Sequence, residues 1–151
     1  VGGIAPVLYY ESRGYVDNKP VSWGTPDVEM DSTWKSVPEG TIQWNLDRLE
    51  GFVNRMEQRG IKVVGIIFPQ NPGYKNTGAW GRYGPTRTVA KNTLDVLENM
   101  QKRYSNFVLF DENRMGNHDY TDNMALNTDH LGDAGARQVT LRLDSLLKTL
   151  R

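Results

Sequence analysis

The side chains of this chain that are best suited to proton transfer lie close together near its C-terminal end. The stretch from Asn127 to His130 places an imidazole beside an amide and the carboxylate of Asp129, just before a segment with helical periodicity. An imidazole changes its charge near neutral pH, so on a loop it can take up and release a proton during a reaction. A neighbouring side-chain oxygen can orient the ring. We therefore expect His130 to act as a base, with Asn127 or Asp129 as the residue that orients it.

Alternating strand and helix patterns predict the scaffold that positions this loop. Short apolar runs rich in strand formers indicate strands at residues 4–10, 61–68 and 107–110. Apolar residues at helical spacing indicate helices at about 37–59, 86–103 and 134–149. Helices that alternate with short apolar strands are typical of a parallel sheet with helical crossovers. We predict a single α/β domain over residues 1–151.

Local signals define the ends of these elements. Ser36 and Glu39 fit a capping box before the first helix, Gly60 is suited to end it, and Asp133 is a plausible N-cap of the last helix. One face of the first helix carries five apolar residues: Ile42, Leu46, Leu49, Val53 and Met56. The strand at 61–68 lacks polar alternation, which predicts a strand buried on both faces.

Composition excludes several classes of function. The 18 basic and 18 acidic residues give no net charge, which argues against a nucleic-acid partner. Cysteine is absent, so disulfides and cysteine-based sites are excluded. No apolar run approaches the ~20 residues that span a bilayer, and no nucleotide-binding glycine motif is present, so we expect no membrane span and no cofactor. The chain begins at Val1 without an initiator Met or a signal segment, and we interpret it as part of a longer protein.

A second group of candidate residues follows the strand at 61–68. Open α/β sheets bind ligands beyond the carboxyl ends of their strands, and the glycine-rich loop at 69–87 starts there. Its aromatic side chains can stack on sugar rings, and its arginine can hold an anion; alternatively, they fold the loop back onto its own domain. The residues that we predict to contact substrate are Asn71, Tyr74, Trp80, Arg82 and Tyr83.

The pattern Asn127-x-x-His130-Leu131-x-x-x-Gly135-Ala136 resembles the last signature block of SGNH (GDSL-type) hydrolases, Asp-x-x-His. In that family the histidine is the base for a serine nucleophile, and the residue three positions earlier orients it. The resemblance implies a three-layer α/β/α, flavodoxin-like fold and hydrolysis of an ester or acyl group, with a small-molecule ester or an acylated polysaccharide as substrate. It is closest to SGNH-like domains of large bacterial envelope proteins, which implies an envelope or extracellular location.

Two departures from the family pattern leave alternatives open. Position 127 holds Asn, and the corresponding Asp-to-Asn change in a serine protease triad costs about 10⁴-fold in rate. The Gly-Asp-Ser block is absent; Ser12, directly after the strand at 4–10, is the serine in a suggestive place. Either the front of the fold precedes Val1, the motif has diverged, or the domain is a non-catalytic relative.

Two alternative functions also arise from the loops. The first is a carbohydrate- or envelope-binding module that uses the loop aromatics, with Trp23 added to Tyr74, Trp80 and Tyr83. The second is a divalent metal site, for which the nitrogen and oxygen ligands would come from His118, Asp119, Asp122, Asp129 and His130. Their spacing matches no metal-binding signature, so we predict no metal.

Overall fold

The structure is a computed structural model that describes residues 22–28 and 40–150. The predicted strand at 4–10, Ser12 and the capping box at Ser36 and Glu39 lie outside the described residues. The helices and strands follow in the order α1 (Thr41–Glu57), β1 (Val63–Ile67), α2 (Arg87–Arg103), β2 (Phe107–Asp111) and α3 (Asp133–Thr149). Short 3-10 helices occupy Pro72–Asn76, Arg114–Gly116 and Asp122–Met124.

The strands β1 and β2 form a two-stranded parallel sheet, in register from Val63 opposite Phe107 to Ile67 opposite Asp111. This confirms the α/β prediction in its coarse form: the described residues form a mixed fold with a small two-stranded parallel sheet and three helices, of which α2 connects the strands. Every residue of β1 is only partly buried, whereas we expected burial on both faces. The difference arises because, among the described residues, β1 has one neighbouring strand.

Helices pack on both faces of β2. On one face, Val53 of α1, Met100 of α2 and Phe107 of β2 form a buried cluster. On the other face, Phe110 packs against a cluster that contains Val139 of α3 and residues of the β2–α3 connection. Phe107 and Phe110 point to opposite faces because successive side chains of a strand alternate. The sheet is thus covered by α1 and α2 on one side and by α3 on the other.

The helix ends agree in part with the sequence signals. Gly60 adopts a left-handed φ of 68° just after α1, as expected of a residue that ends a helix. Thr86 caps α2 by accepting a hydrogen bond from the backbone N–H of Val89. The predicted N-cap Asp133 is instead the first residue of α3, and Gly132 is the N-cap without a side-chain bond. Within the described ranges, no helix is long and apolar enough to cross a membrane.

Candidate functional site

Two loops that begin at the same edge of the sheet are joined to each other by hydrogen bonds. The β1–α2 loop (residues 68–86) and the β2–α3 loop (residues 112–132) both begin at the carboxyl end of a parallel strand. The side-chain amide of Asn113 donates to the carbonyl of Phe68 at 3.3 Å. The Nε2 of His118 lies 2.6 Å from the carbonyl oxygen of Gln70. The two loops therefore form one surface beyond the strand ends, where the predicted site lies.

His130 sits in a tight hairpin within the β2–α3 loop. Ala125 and Leu131 form an antiparallel bridge. The backbone N–H of Leu126 donates to the carbonyl of His130 at 2.8 Å, and that of Gly132 donates to the carbonyl of Met124 at 2.8 Å. We call residues 124–132 the histidine hairpin. Its backbone hydrogen bonds fix the position from which the imidazole projects.

The side-chain oxygen of Asn127 holds the imidazole ring of His130. Asn127 Oδ1 lies 2.9 Å from the backbone N of Asp129, 3.0 Å from the backbone N of His130 and 3.0 Å from His130 Nδ1. Backbone N–H groups only donate, so the amide must present its oxygen to all three nitrogens. Nδ1 therefore carries the hydrogen, and the lone pair of the neutral ring is on Nε2.

The Nε2 atom of His130 is available as a proton acceptor. The residue is exposed, and no residue within 22–28 or 40–150 forms a hydrogen bond to Nε2. A general base needs a neutral ring with its lone pair directed to the reacting group. The hydrogen bond between Asn127 and His130 sets the tautomer that this role needs, because it places the hydrogen on Nδ1.

The neighbouring carboxylates are bonded elsewhere. Oδ1 of Asp129 lies 2.8 Å from the hydroxyl of Tyr74, and Oδ2 lies 3.3 Å from the hydroxyl of Thr128. Oδ1 of Asp122 accepts from the backbone N–H of Trp23 at 3.4 Å. The imidazole thus has the neutral amide of Asn127 as its partner, and the predicted alternative Asp129 does not contact the ring through a hydrogen bond.

Tyr74 is an interior residue rather than a surface for stacking. Only 2% of it is exposed, and its hydroxyl lies 2.8 Å from Asp129 Oδ1 and 3.0 Å from the carbonyl oxygen of Asp27. Burial raises the pKa of the Tyr74 hydroxyl well above its usual range, and the hydrogen bond to Asp129 makes a second, smaller contribution in the same direction. The hydroxyl therefore keeps its proton and serves as a donor.

Asn71 is also buried, and its amide is fully engaged. Its Nδ2 donates to the carbonyl oxygens of Trp23 at 2.9 Å and Gly24 at 3.2 Å, and its Oδ1 accepts from the N–H of Gly73 at 2.8 Å. These bonds attach residues 22–28 to the β1–α2 loop. The predicted role of Asn71 in substrate binding has no free donor to support it, and Trp23 is buried as well.

The other predicted contact residues lie nearer to solvent. Tyr83 is 55% exposed, and the guanidinium carbon of Arg82 lies 5.1 Å from the centroid of its ring. Arg82 also pairs with Asp27 at 2.8 Å. Trp80 is half-buried. Of the loop aromatics predicted to bind sugars, Tyr83 alone is strongly exposed.

An apolar cavity of about 450 Å³ lies between α1, α2 and the β1–α2 loop. Its described lining includes Leu46, Leu49, Ile67, Trp80 and Leu94. The sequence indicated the α1 side of this cavity through its apolar face. It gave no sign that Trp80 would face α1 and α2, because that contact depends on how the loop folds.

A charged cluster ties the β2–α3 loop to α3. Glu112, 4% exposed, accepts hydrogen bonds from the hydroxyl of Tyr120 and from Arg142 at 2.7 Å. Arg142 also donates two hydrogen bonds to the carboxylate of Asp119. These hydrogen bonds lower the pKa of Asp119 to about 2. Glu112 and Arg142 lie thirty residues apart and match no local motif, so the sequence did not indicate them.

The five residues considered as metal ligands do not converge. His118 bonds to Gln70 and Tyr120, Asp119 bonds to Arg142, and Asp122 bonds to Trp23. In the part of the chain that the structure describes, no three His, Asp or Glu side chains are grouped to hold a metal ion.

The described serines form no hydrogen bond with His130. The hydroxyl of Ser105 donates to Glu57, and that of Ser145 donates to the carbonyl of Leu141. Ser22, the third serine in the described ranges, forms no hydrogen bond with the imidazole. The predicted nucleophile Ser12 lies outside the described residues, so its assignment stays a prediction.

No protein family, curated protein or solved structure matches this chain. What the site can do therefore follows from its own side chains and their hydrogen bonds.

Gly135 allows α3 to start directly against the histidine hairpin. A Cβ atom at this position would lie 2.5 Å from the carbonyl oxygen of Met124 and 2.6 Å from Cδ2 of Leu131. Such distances are far below van der Waals contact, so any larger residue would push the helix and the hairpin apart. The glycine of the Gly135-Ala136 pattern thus has a steric role in this chain.

Proposed function

We propose that this chain is an SGNH-type esterase domain with the three-layer α/β/α fold of that family and with His130 as its general base. The observation that carries the proposal is the hydrogen bond between Nδ1 of His130 and Oδ1 of Asn127, 3.0 Å long, which leaves Nε2 as an exposed acceptor. The pair has the spacing of the Asp-x-x-His block with Asn in place of Asp, and it lies on a loop beyond the carboxyl end of a parallel strand.

The mechanism follows from this geometry. Nε2 of His130 removes the proton from a hydroxyl, for which we assign Ser12, and the alkoxide attacks the ester carbonyl. The protonated imidazole then gives its proton to the leaving alcohol, and an acyl-enzyme remains. A water molecule, activated by the same nitrogen, hydrolyses the acyl-enzyme and restores the serine.

The amide of Asn127 can support this reaction although it carries no charge. In a serine protease triad the Asp-to-Asn change costs about 10⁴-fold because the imidazole takes up the wrong tautomer. In this chain the N–H groups of Asp129 and His130 hold the amide with its oxygen toward the ring. The tautomer is therefore the productive one, and the loss is limited to the charge that would stabilise the imidazolium. We expect slow but measurable turnover.

The substrate that we propose is an ester on an acylated polysaccharide of the bacterial envelope. The side chains that support it are those near the surface of the β1–α2 loop. Tyr83 offers an exposed ring, and Arg82 lies over that ring. An aromatic face beside a guanidinium suits a sugar that carries polar substituents.

Hydrolysis of p-nitrophenyl acetate tests the proposal. We expect His130→Ala and Ser12→Ala each to reduce the enzymatic rate to the buffer background, because either change removes one half of the proton transfer. Lys148→Ala, an exposed change on α3, is the matched control and should keep the full rate. Equal rates for the unaltered protein and His130→Ala would refute the proposal.

The competing function is a non-catalytic carbohydrate-binding module, which the exposed ring of Tyr83 supports. In that case retention on immobilised envelope polysaccharide should fall with Tyr83→Ala and with Trp80→Ala, while His130→Ala leaves it unchanged. Unchanged retention of both aromatic variants would exclude a stacking platform on this loop.

A further inference from the structure

Tyr74 connects the histidine hairpin to the loop that follows β1. It lies in the 3-10 helix Pro72–Asn76, 55 positions before Asp129 in the sequence, and its hydroxyl is 2.8 Å from that carboxylate. The side chain is buried, so the hydroxyl approaches from the interior of the protein. Hydrogen bonds from a buried donor to an ionised carboxylate are among the stronger ones in proteins.

Asp129 in turn lies next to His130 and shares its partner. The backbone N–H of Asp129 donates to Asn127 Oδ1, which is the oxygen that also holds the imidazole. The carboxylate is held on both oxygens, by Tyr74 and by Thr128. Without the Tyr74 bond, the ionised carboxylate one residue from the ring would be released to accept a hydrogen from Nε2. Because charged acceptors bind N–H groups more strongly than a neutral amide does, this would draw the hydrogen from Nδ1 to Nε2.

We propose that Tyr74 is a positioning residue for His130. Its hydroxyl retains the carboxylate of Asp129 at the β1–α2 loop, so that Asn127 alone bonds the imidazole and the hydrogen stays on Nδ1. The inference rests on the proposed function of His130 as a base. The new element is that the productive tautomer depends on Tyr74, which is distant from His130 in the sequence and belongs to no recognised motif.

The experiment reads the tautomer directly. The chain contains two histidines, so ¹⁵N-labelled protein gives two sets of ring signals, which His130→Ala assigns. In the unaltered protein His130 should show the Nδ1–H tautomer. We expect Tyr74→Phe to lower the ratio of the Nδ1–H tautomer to the Nε2–H tautomer about tenfold. A factor of this size corresponds to the net free energy of about one hydrogen bond.

Tyr104→Phe is the matched control. The hydroxyl of Tyr104 also donates to a carboxylate, that of Glu50 at 2.9 Å, but it lies at the end of α2, near the start of β2. Loss of this bond should leave the ring signals of His130 unchanged. The signals of His118, which bonds to Gln70 and Tyr120, report whether the fold around the loops is intact.

A second variant separates positioning from simple loss of structure. If the released carboxylate is the competitor, Asp129→Asn in the Tyr74→Phe background should restore the Nδ1–H tautomer. A change in His130 alone, with this rescue, supports the proposal. No change in His130, a change in both histidines, or absence of rescue would overturn it.

The outcome is independent of whether the protein hydrolyses esters. If the protein has no esterase activity but shows the tautomer change and its rescue, the positioning role of Tyr74 is supported and the proposed function is refuted. If the protein is active but Tyr74→Phe leaves the His130 signals unchanged, the positioning role is refuted and the proposed function stands.

Discussion

Nδ1 of His130 donates a hydrogen bond of 3.0 Å to Oδ1 of Asn127, and the same oxygen accepts the backbone N–H of His130 at 3.0 Å. One side chain thus fixes both the backbone and the ring of its neighbour. The orientation of the amide is determined by backbone donors, not by the ring. A carboxylate could replace this amide without a change in geometry, since both groups offer an oxygen at the same place.

Asn127→Asp should increase the proposed esterase activity. The carboxylate adds a negative charge beside Nδ1, which stabilises the imidazolium that forms in the transition state. We expect a gain of at least about tenfold in kcat, which corresponds to roughly 1.4 kcal/mol.

Asn123→Asp is the control for the Asn127→Asp variant. Asn123 lies in the 3-10 helix Asp122–Met124 of the same loop, is exposed, and its Oδ1 accepts from the hydroxyl of Thr121. The substitution therefore adds an equal charge nearby at a residue that is not the hydrogen-bond partner of the ring. A similar gain in both variants would show that general electrostatics, and not the Asn127–His130 bond, is responsible.

Gly135→Ala should destabilise the protein and disturb the site. The added Cβ would clash with the Met124 carbonyl and with Leu131, and overpacking of this kind costs about 1–3 kcal/mol. The free energy of unfolding measured in urea gives the cost. The ring signals of His130 should shift, because the clash falls on the histidine hairpin.

Gly51→Ala provides the opposite expectation for the same substitution. Gly51 lies inside α1, where the nearest atom to a new Cβ is the flexible end of Arg55 at 3.5 Å. Alanine favours a helix interior over glycine by about 0.5–1 kcal/mol, so this variant should be more stable than the original protein. Equal effects at both positions would contradict the steric role of Gly135.

Arg142→Ala should cost far more stability than Arg103→Ala. Arg142 pairs with Glu112, whose side chain is 5% exposed, and its loss leaves this buried carboxylate with the hydroxyl of Tyr120 and, 4.0 Å away, Arg114 as its partners. Breaking a buried ion pair costs about 3–5 kcal/mol. Arg103 pairs with Glu50, which is more exposed, and exposed pairs contribute about 1 kcal/mol or less. Urea denaturation of the two variants compares them, and similar losses would contradict a structural role for Glu112.

Local patterns in the sequence were enough to predict the helices and strands of the described residues. The bounds predicted for α2 and α3 agree with Arg87–Arg103 and Asp133–Thr149 to within one residue, because helical periodicity and capping are local properties. The pairing of Asn127 with His130 could also be predicted, since a spacing of three residues suits an oxygen that caps its own turn.

Contacts between distant segments could not be predicted. In the sequence Tyr74 is an aromatic residue of a loop, but in the structure its hydroxyl lies in the interior and is hydrogen-bonded to Asp129. In the sequence Asn71 is a polar residue beyond a strand, but in the structure its amide donates hydrogen bonds to two carbonyl groups of residues 22–28. In each case the decisive partner lies about fifty positions away, and single-residue propensity carries no information on it.

The bond between Asp119 and Arg142 should make stability depend on pH in the acid range. Hydrogen bonds from Arg142 lower the pKa of Asp119 from 3.8 to about 2 in the folded protein. A carboxyl group with a lowered pKa stabilises the fold fully above its unfolded value, and this contribution is lost as the pH falls through the folded value. The loss should therefore occur between 3.8 and about 2. Because 59% of the side chain is exposed, we expect a small effect.

Urea midpoints of the unaltered protein and of Asp119→Asn should differ by a constant amount from about pH 7 to about pH 5 and converge towards about pH 2. A difference that stays constant down to the lowest pH would show that the charge of Asp119 contributes nothing to the bond with Arg142.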